Sequence, residues 1–474
     1  MLQYNPILDT DSYKYSMFLQ YPPKTTNIFS YVESRGGIFD STLFFGLQIF
    51  IKKFLLTRLT KEMVYEAERI VTLHGEPFNT EGWLYIVEQH NGFLPLIIKS
   101  VPEGMIIPTK NVLVTVEVTD PKCFWVTTFI ETALLRSVWY PTTVATNSYH
   151  CKQIIIKALE LSGDPALIDF KLHDFGARGV SSYESAAIGG LAHLINFKGT
   201  DTVPALIAAI DYYDSKDVVG WSIPAAEHST ITSWGNRYET RAYENMILQF
   251  GSTHAMYAVV SDSYDVYNAV ENIWGGTLKE QLVKNKSVLV IRPDSGDPTI
   301  VLPKIMHLAA LKFGFTMNKK GYKIINKVRF IQGDGITINT LQPIIDAILN
   351  AGFSLDNIAF GMGGGLLQHV NRDDQKFAMK CSAVLVDGVW IDVFKDPITD
   401  PGKKSKKGRL QVVKTLNGQV ITFREDEHIK TPSTPLLQTV YQWNGIDKLW
   451  SQQPITNFIT FEQVRLNSCE FTPT

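Results

Sequence analysis

The chain has 474 residues, 45% hydrophobic and 19% charged, a balance that excludes a disordered or fibrous protein and leaves room for two or three domains with sizeable cores. Lysine and arginine number 45 against 47 aspartates and glutamates, a formal charge of −2. That gives no global attraction to nucleic acid or to an acidic membrane, so any anion site must be built locally.

The opening stretch, MLQYNPILDTDSYKYSM, lacks the basic and then apolar regions of a signal peptide, and nowhere do about 18 apolar residues run together. The expectation is a cytoplasmic protein with no membrane span and no nucleic-acid partner. Cys123, Cys151, Cys381 and Cys469 stand far apart with no CxxC or Cys/His metal spacing. They read as buried free thiols in a reducing compartment, and no metal site is assigned to protein ligands.

Residues 92–120, PLIIKSVPEGMIIPTKNVLVTVEVTD and its flanks, read as short strands and turns. From 168 onward one pattern repeats: a short apolar run, a polar or glycine-rich turn, then helical spacing. Residues 168–172 lead into HDFGARG and then SYESAAIGGLAHLINF; GTD at 199–201 leads into VPALIAAIDYY. Residues 220–223 lead into PAAEHS, 257–260 into SDS, SVLVI into RPDSGDP, VRFI into QGDG, and NIAF into GMGGG. Six or seven such units in succession predict parallel strands closing into a barrel, with the turns after the strands on one rim. Asp174, Asp201, His228, Asp262, Asp294 and Asp334 all fall in those turns.

After Lys380 two hairpins are expected, at Asp387-Gly388 and at Asn417-Gly418, dipeptides that favour type I′ turns. The reading is therefore α/β: an irregular (β/α) barrel over 151–379 beside a β-rich domain formed by the N-terminal segment 1–150 and the C-terminal segment 380–474.

Several groups carry chemistry. GMGGG at 361–365 suits a backbone phosphate cradle, though a packing turn explains it equally. Asp294 and Asp334 suit ribose hydroxyls or magnesium held through water, and a plain turn or N-cap role is the competing reading. The run with Lys403, Lys404, Lys406, Lys407 and Arg409 is either a solvated basic loop or part of a phosphate site with Arg178, Arg292 and Arg372. His228 lies between Glu227 and the hydroxyls of Ser229 and Thr230; such a histidine is a nucleophile, an acid or base, or a structural residue. No GxSxG, Walker lysine loop or HExxH occurs, so serine hydrolase, P-loop kinase and zincin readings lack support.

The stretches TDSYKYSMFLQYPP, KLHDFGARGVSS, FKGTDT, PAAEHSTITSWG, VSDSYDVYNA, IRPDSGDP, IQGDG, FGMGGGLLQ, and VFKDP followed by SKKGR are similar, in this order, to the nicotinamide phosphoribosyltransferase family of type II phosphoribosyltransferases. The resemblance runs along nearly the whole chain. It implies formation of nicotinamide mononucleotide from nicotinamide and phosphoribosyl pyrophosphate, with Mg²⁺, with ATP as co-substrate, and in a homodimer whose active sites lie at the subunit interface.

By resemblance, Phe175 stacks on the pyridine ring, with Tyr13 of the second subunit opposite it. Asp201 accepts from the carboxamide, and Arg292 lies near the ring and the diphosphate, with Asp294 beside it. Gly333 and Asp334 match a ribose-phosphate region; Arg178, Ser222, Gly363, Gly364, Arg372 and Lys380 match phosphate or ribose contacts. Arg35 and Lys395 match basic residues reaching from the partner. His228 matches the histidine phosphorylated from ATP, with Glu227 and Asp262 as orienting partners. Ala177 and Ala378 depart from the pattern, where some members carry an aromatic and a serine. The same chemistry on nicotinate is the rival activity, and a dimeric binding protein without catalysis is the rival class.

Overall fold

Five-residue apolar runs such as Val288–Arg292 and Val328–Gln332, rich in β-branched residues, are the signature of parallel strands covered on both faces. In the computed structural model, which describes residues 4–399, 404–429, 431–445 and 453–470, they lie in one six-stranded sheet. Its order is Gly199–Thr200, Leu172–Asp174, Ile358–Met362, Val328–Gln332, Val288–Arg292 and Met256–Val260, with every pairing parallel.

The two outer strands are joined through residues 221–226. Gly199 bridges Trp221 and Ala225 bridges Ala258, both parallel. Ala258 N donates to Pro224 O at 2.8 Å, and Ala226 N to Ala258 O at 3.0 Å. Pro224 has no N–H, so the segment makes bridges rather than a ladder. The ring is thus closed in chain order, the expected barrel.

Strand alternation fixes what lines it. Ala258, Val290 and Ile331 form the inner cluster, with Ile223, Met256, Ala359 and Phe175 packed against it. Continuing each inward row toward the ends of the strands reaches Phe175, Asp201, Arg292, Gly333, Gly361 and Gly363. The helices that follow start at their own caps: Asp297 accepts from Thr299 N ahead of Pro298–Phe313, Asp265 from Tyr267 N, and Thr337 forms a capping box with Thr340. Asp294 and Asp334 are therefore not the caps, which leaves their carboxylates available at the rim.

The second architecture is an antiparallel seven-stranded sheet of Val389–Asp392, Phe377–Val386, Thr25–Ser34, Val112–Val118, Leu96–Ser100, Gln438–Gln442 and Ile455–Thr456. Both ends of the chain contribute, as composition suggested. The Asp387-Gly388 hairpin forms with both residues at positive φ, 52° and 80°, as a type I′ turn requires. The second hairpin differs from expectation: Lys414 pairs Val420, and of the loop residues 416–418 only Gly418 is left-handed, at φ 85°. That is the three-residue hairpin loop with one glycine in the left-handed region.

The chain divides into two compact units, one of 1–146, 211–215 and 371–474, the other of 147–210 and 216–370. The expected boundary at 150 falls inside the helix Glu131–Ser162, and that at 379 falls inside the strand Phe377–Val386. Continuous hydrogen-bonded elements cross both points.

Candidate active site

The barrel rim is built from the residues that follow each strand. Phe175 comes directly after Leu172–Asp174, with its N–H donating to Met362 O at 3.0 Å. Its ring lies across two glycines: a Cβ at Gly361 would fall 2.0 Å from Phe175 Cε2, and one at Gly333 would fall 3.3 Å away. The Arg292 guanidinium sits 5.7 Å from the ring centroid, within reach of a cation–π contact. Arg292 Nε and Nη2 both donate to Asp294 Oδ1, at 3.1 and 2.8 Å.

One strand over, Asp201 N donates to Asp174 O at 2.9 Å, which places Asp201 next to Phe175. Asp201 is exposed, and its Oδ1 accepts from Ser222 Oγ at 2.6 Å. That bond leaves the second oxygen as a further acceptor. Beneath lies Asp174, fully buried, its Oδ1 accepting from Gly176 N at 2.7 Å. Burial pushes its carboxyl up to about 6, against the pull of that N–H.

His228 opens the short helix His228–Thr232 after the bridging segment, and its Nε2 lies 2.9 Å from Asp262 Oδ1. Burial works to raise the Asp262 carboxyl, but hydrogen bonds from Ser295 and His228 outweigh it and hold it below its ordinary value. An ionised Asp262 accepting from Nε2–H leaves the Nδ1 lone pair free, the tautomer a nucleophile needs. Glu227, expected as a second partner, takes the Ser229 hydroxyl instead.

Arg178, exposed in the turn Ala177–Gly179, is brought beside the glycine cradle: a Cβ at Gly179 would lie 3.7 Å from Gly364 N, and one at Gly363 would lie 3.5 Å from Phe175 O. Asp334 is exposed after Val328–Gln332, next to Gly333. Phe175, Arg178, Asp201, Ser222, His228, Asp262, Arg292, Asp294, Gly333, Asp334, Gly363 and Gly364 thus belong to one rim. Sequence reading missed the Ser295 N–H, which no side chain signals, and took Gly361 as part of the phosphate cradle rather than as the seat of the Phe175 ring.

Tyr13, Arg35, Arg372, Lys380 and Lys395 lie in the other unit. There the Lys380 amine is lowered by burial, which Glu131 opposes and the charges of Arg35, Lys395 and Lys14 reinforce. Arg35 Nε is buried without a hydrogen-bond partner. Tyr13 is 55% exposed, and Arg372 leans on Asp373 at 3.2 Å.

The described members of the basic run are ion-paired within the chain: Lys404 pairs Asp396 at 2.7 Å, Lys406 pairs Glu33, Lys407 pairs Asp392 at 3.7 Å, and Arg409 pairs Glu425 at 2.8 Å. Lys403 lies outside the described residues. Cys123 and Cys151 are buried free thiols, whereas Cys381 is half-buried and Cys469 exposed, contrary to expectation. Among the described residues, His90, Asp120 and Cys123 are the one His/Cys/carboxylate group close enough to hold a metal ion. Asp120 there is a hydrogen-bond hub, accepting from His90 Nε2 at 2.8 Å and Tyr85 OH at 2.9 Å. Among the described residues no helix is long and apolar enough to cross a membrane.

Residues 5–98 match the family model described as "Nicotinamide phosphoribosyltransferase, N-terminal domain", and 170–442 match that of the "Nicotinate phosphoribosyltransferase (NAPRTase) family". A Xanthomonas campestris pv. campestris (strain 8004) protein named nicotinamide phosphoribosyltransferase is 56% identical over 470 residues, 98% of either chain. The chain belongs to the nicotinamide phosphoribosyltransferase family. This family member shares its fold with a Pyrococcus furiosus nicotinate-nucleotide pyrophosphorylase, at TM-score 0.64 and 15% identity over 99% of this chain and 96% of that one. It likewise shares the fold of human nicotinic acid phosphoribosyltransferase, at TM-score 0.62 and 16% identity over 98% and 93%.

Proposed function

We propose that this chain transfers the phosphoribosyl group of phosphoribosyl pyrophosphate to the ring nitrogen of nicotinamide, giving nicotinamide mononucleotide and diphosphate in NAD salvage. The observation that carries the choice of pyridine is Asp201: a carboxylate beside Phe175 with one oxygen held by Ser222 and the other open. A carboxamide N–H donates to it, while an anionic pyridine is repelled.

The pyridine nitrogen has its lone pair free, so no base is needed. Catalysis is the stabilisation of an oxocarbenium-like ribose and a departing diphosphate, electrostatic work for Arg178, Arg292 and the glycine cradle at 363–364. Phe175 orients the nucleophile. Asp294 keeps Oδ2 outside its Arg292 pair and Asp334 is exposed, a hard-oxygen set that fits Mg²⁺ held through water. The ion, when bound, neutralises leaving-group charge.

His228, with Asp262 fixing its tautomer, accepts phosphate from ATP and couples ATP hydrolysis to the transfer. A second subunit of a homodimer supplies Tyr13, Arg35 and Lys395; sedimentation at the monomer mass in the presence of substrates would remove that part. The location is cytoplasmic. The deciding experiment offers the purified protein nicotinamide, nicotinate or nicotinamide riboside with phosphoribosyl pyrophosphate and Mg²⁺ and identifies products by mass. Nicotinamide mononucleotide from nicotinamide is expected, and product from nicotinate alone overturns the proposal.

A further inference from the structure

Asp262 uses both carboxylate oxygens, and on different elements. Oδ1 faces His228 Nε2 at 2.9 Å, while Oδ2 accepts from the backbone N–H of Ser295 at 2.8 Å. The Asp262 side chain is only 4% exposed, although the His228 side chain is 47% exposed. An aspartate that merely oriented a histidine would need one oxygen there and would leave the other to water. Here the second oxygen is withdrawn from solvent and committed to a neighbouring turn.

That turn, 293–297, joins the strand Val288–Arg292 to the helix Pro298–Phe313. It carries Asp294, gripped through Oδ1 by Arg292 at 2.8 Å, and it reverses at Gly296 with φ 88°, a conformation that constrains it little. Its path is set by three anchors: the Arg292 grip, the Asp297 cap and the Asp262 carboxylate. Ser295 is exposed, so without Asp262 its N–H turns to water at no cost to the core. What would be lost is the position of Asp294.

We infer that Asp262 is a positioning residue for the sugar-phosphate turn as well as for His228, holding Asp294 where ribose and diphosphate are read. This deepens the phosphoribosyl-transfer reading and rests on it. Asp262→Ala removes both bonds. Asp262→Asn keeps an amide oxygen able to accept from Ser295 N–H, while presenting an amide N–H₂ to the histidine.

The test measures KM for phosphoribosyl pyrophosphate without ATP, kcat, ATP stimulation, and direct binding of phosphoribosyl pyrophosphate with Mg²⁺ by calorimetry, with thermal unfolding as the check on folding. Both variants are expected to lose ATP stimulation. Asp262→Ala is expected to raise KM and Kd for phosphoribosyl pyrophosphate about tenfold, the loss of one hydrogen bond to a charged group, with kcat changed far less. Asp262→Asn is expected to restore most of that tenfold. If Asp262→Ala binds phosphoribosyl pyrophosphate as the wild type does while losing ATP stimulation, Asp262 serves His228 alone and the inference falls. Binding is read without turnover, so a wild-type protein that binds phosphoribosyl pyrophosphate but transfers to neither pyridine would defeat the activity reading separately.

Discussion

Gly361→Ala isolates the seat of Phe175. The new Cβ would fall 2.0 Å from Cε2 and 2.2 Å from Cδ2 of the ring. Carbons rest about 3.5 Å apart, so the ring must retreat by about 1.5 Å. It cannot carry its backbone along, because Phe175 N is bonded to Met362 O at 3.0 Å in the neighbouring strand. The ring swings instead and leaves the line between Arg292 and Asp201. A misplacement of about 1 Å in a positioning group costs on the order of 100-fold, so kcat/KM for nicotinamide should fall about 100-fold. Overpacking should also destabilise the fold by about 1–3 kcal/mol in urea titrations, which leaves it folded at assay temperature. Gly333→Ala is the comparison, assayed at saturating phosphoribosyl pyrophosphate because Gly333 matches the ribose-phosphate region: its Cβ meets the same ring at 3.3 Å, a conflict of a few tenths of an ångström, and kcat/KM for nicotinamide should fall less than about threefold. Initial rates for both variants decide the matter. A folded Gly361→Ala protein within threefold of wild type, or equal losses in the two variants, would refute the seat.

Asp201→Asn keeps an acceptor for Ser222 Oγ but removes the charge. Like charges about 4 Å apart repel by at most about 4 kcal/mol at an effective dielectric near 20, so the preference for nicotinamide over nicotinate in kcat/KM should fall, by up to about 1,000-fold. An unchanged ratio would show that the discrimination lies elsewhere. His228→Ala should abolish ATP hydrolysis coupled to mononucleotide formation, followed by phosphate release; ATP stimulation that survives would reassign the histidine. Asp174 titrates near 6 rather than 3.8, so between those values the folded protein holds a proton that the unfolded chain has released. Stability therefore falls as pH rises through that window and stays lower above it. Relative to Asp174→Asn, the wild type should lose up to about 3 kcal/mol in urea unfolding between pH 4 and 7.5, and a pH-independent difference would contradict the burial argument.

Most of the barrel was legible because its strands are continuous apolar runs and its turns carry glycine and aspartate at regular intervals. At 221–226 the strand expected from the run 220–223 forms only in part: it completes the ring through two bridges, because Pro224 denies it a ladder. What that run does not signal is its pairing, since its partners at Gly199 and Ala258 are distant in sequence. The helical spacing expected after SDS becomes the short helix Val266–Asn268 followed by a π-helical segment, Ala269–Thr277. Periodicity near 3.6 does not separate those forms over so few residues.

Site residues were legible as types, and of their pairs the His228–Asp262 contact was expected by resemblance alone. Glu227 is adjacent to His228 in sequence, yet successive side chains diverge, and it is Asp262, at the end of the neighbouring strand, that meets the imidazole. The Ser295 N–H carries no side-chain signal at all. Lys406 and Arg409 stayed open between a solvated loop and a phosphate site, because the carboxylates they pair with, Glu33 and Glu425, come from elsewhere in the chain.

The same limit explains why the fold leaves the pyridine undecided. Proteins named for nicotinate share this barrel, so the barrel itself does not select between a neutral and an anionic ring; the choice falls to charge at the rim. Two groups next to Phe175 bear on it. Asp201 stays an acceptor, because Ser222 occupies one oxygen only. Arg292, the cation nearest the ring, spends Nε and Nη2 on Asp294 and is to that extent withdrawn from any pyridine carboxylate. Releasing that grip should therefore act in the same direction as removing the Asp201 charge. With Asp294→Asn the guanidinium loses its ion pair, and nicotinate should gain on nicotinamide in binding measured by calorimetry, even as phosphoribosyl pyrophosphate binding weakens. If nicotinate gains nothing, Arg292 plays no part in the selection and Asp201 carries it alone.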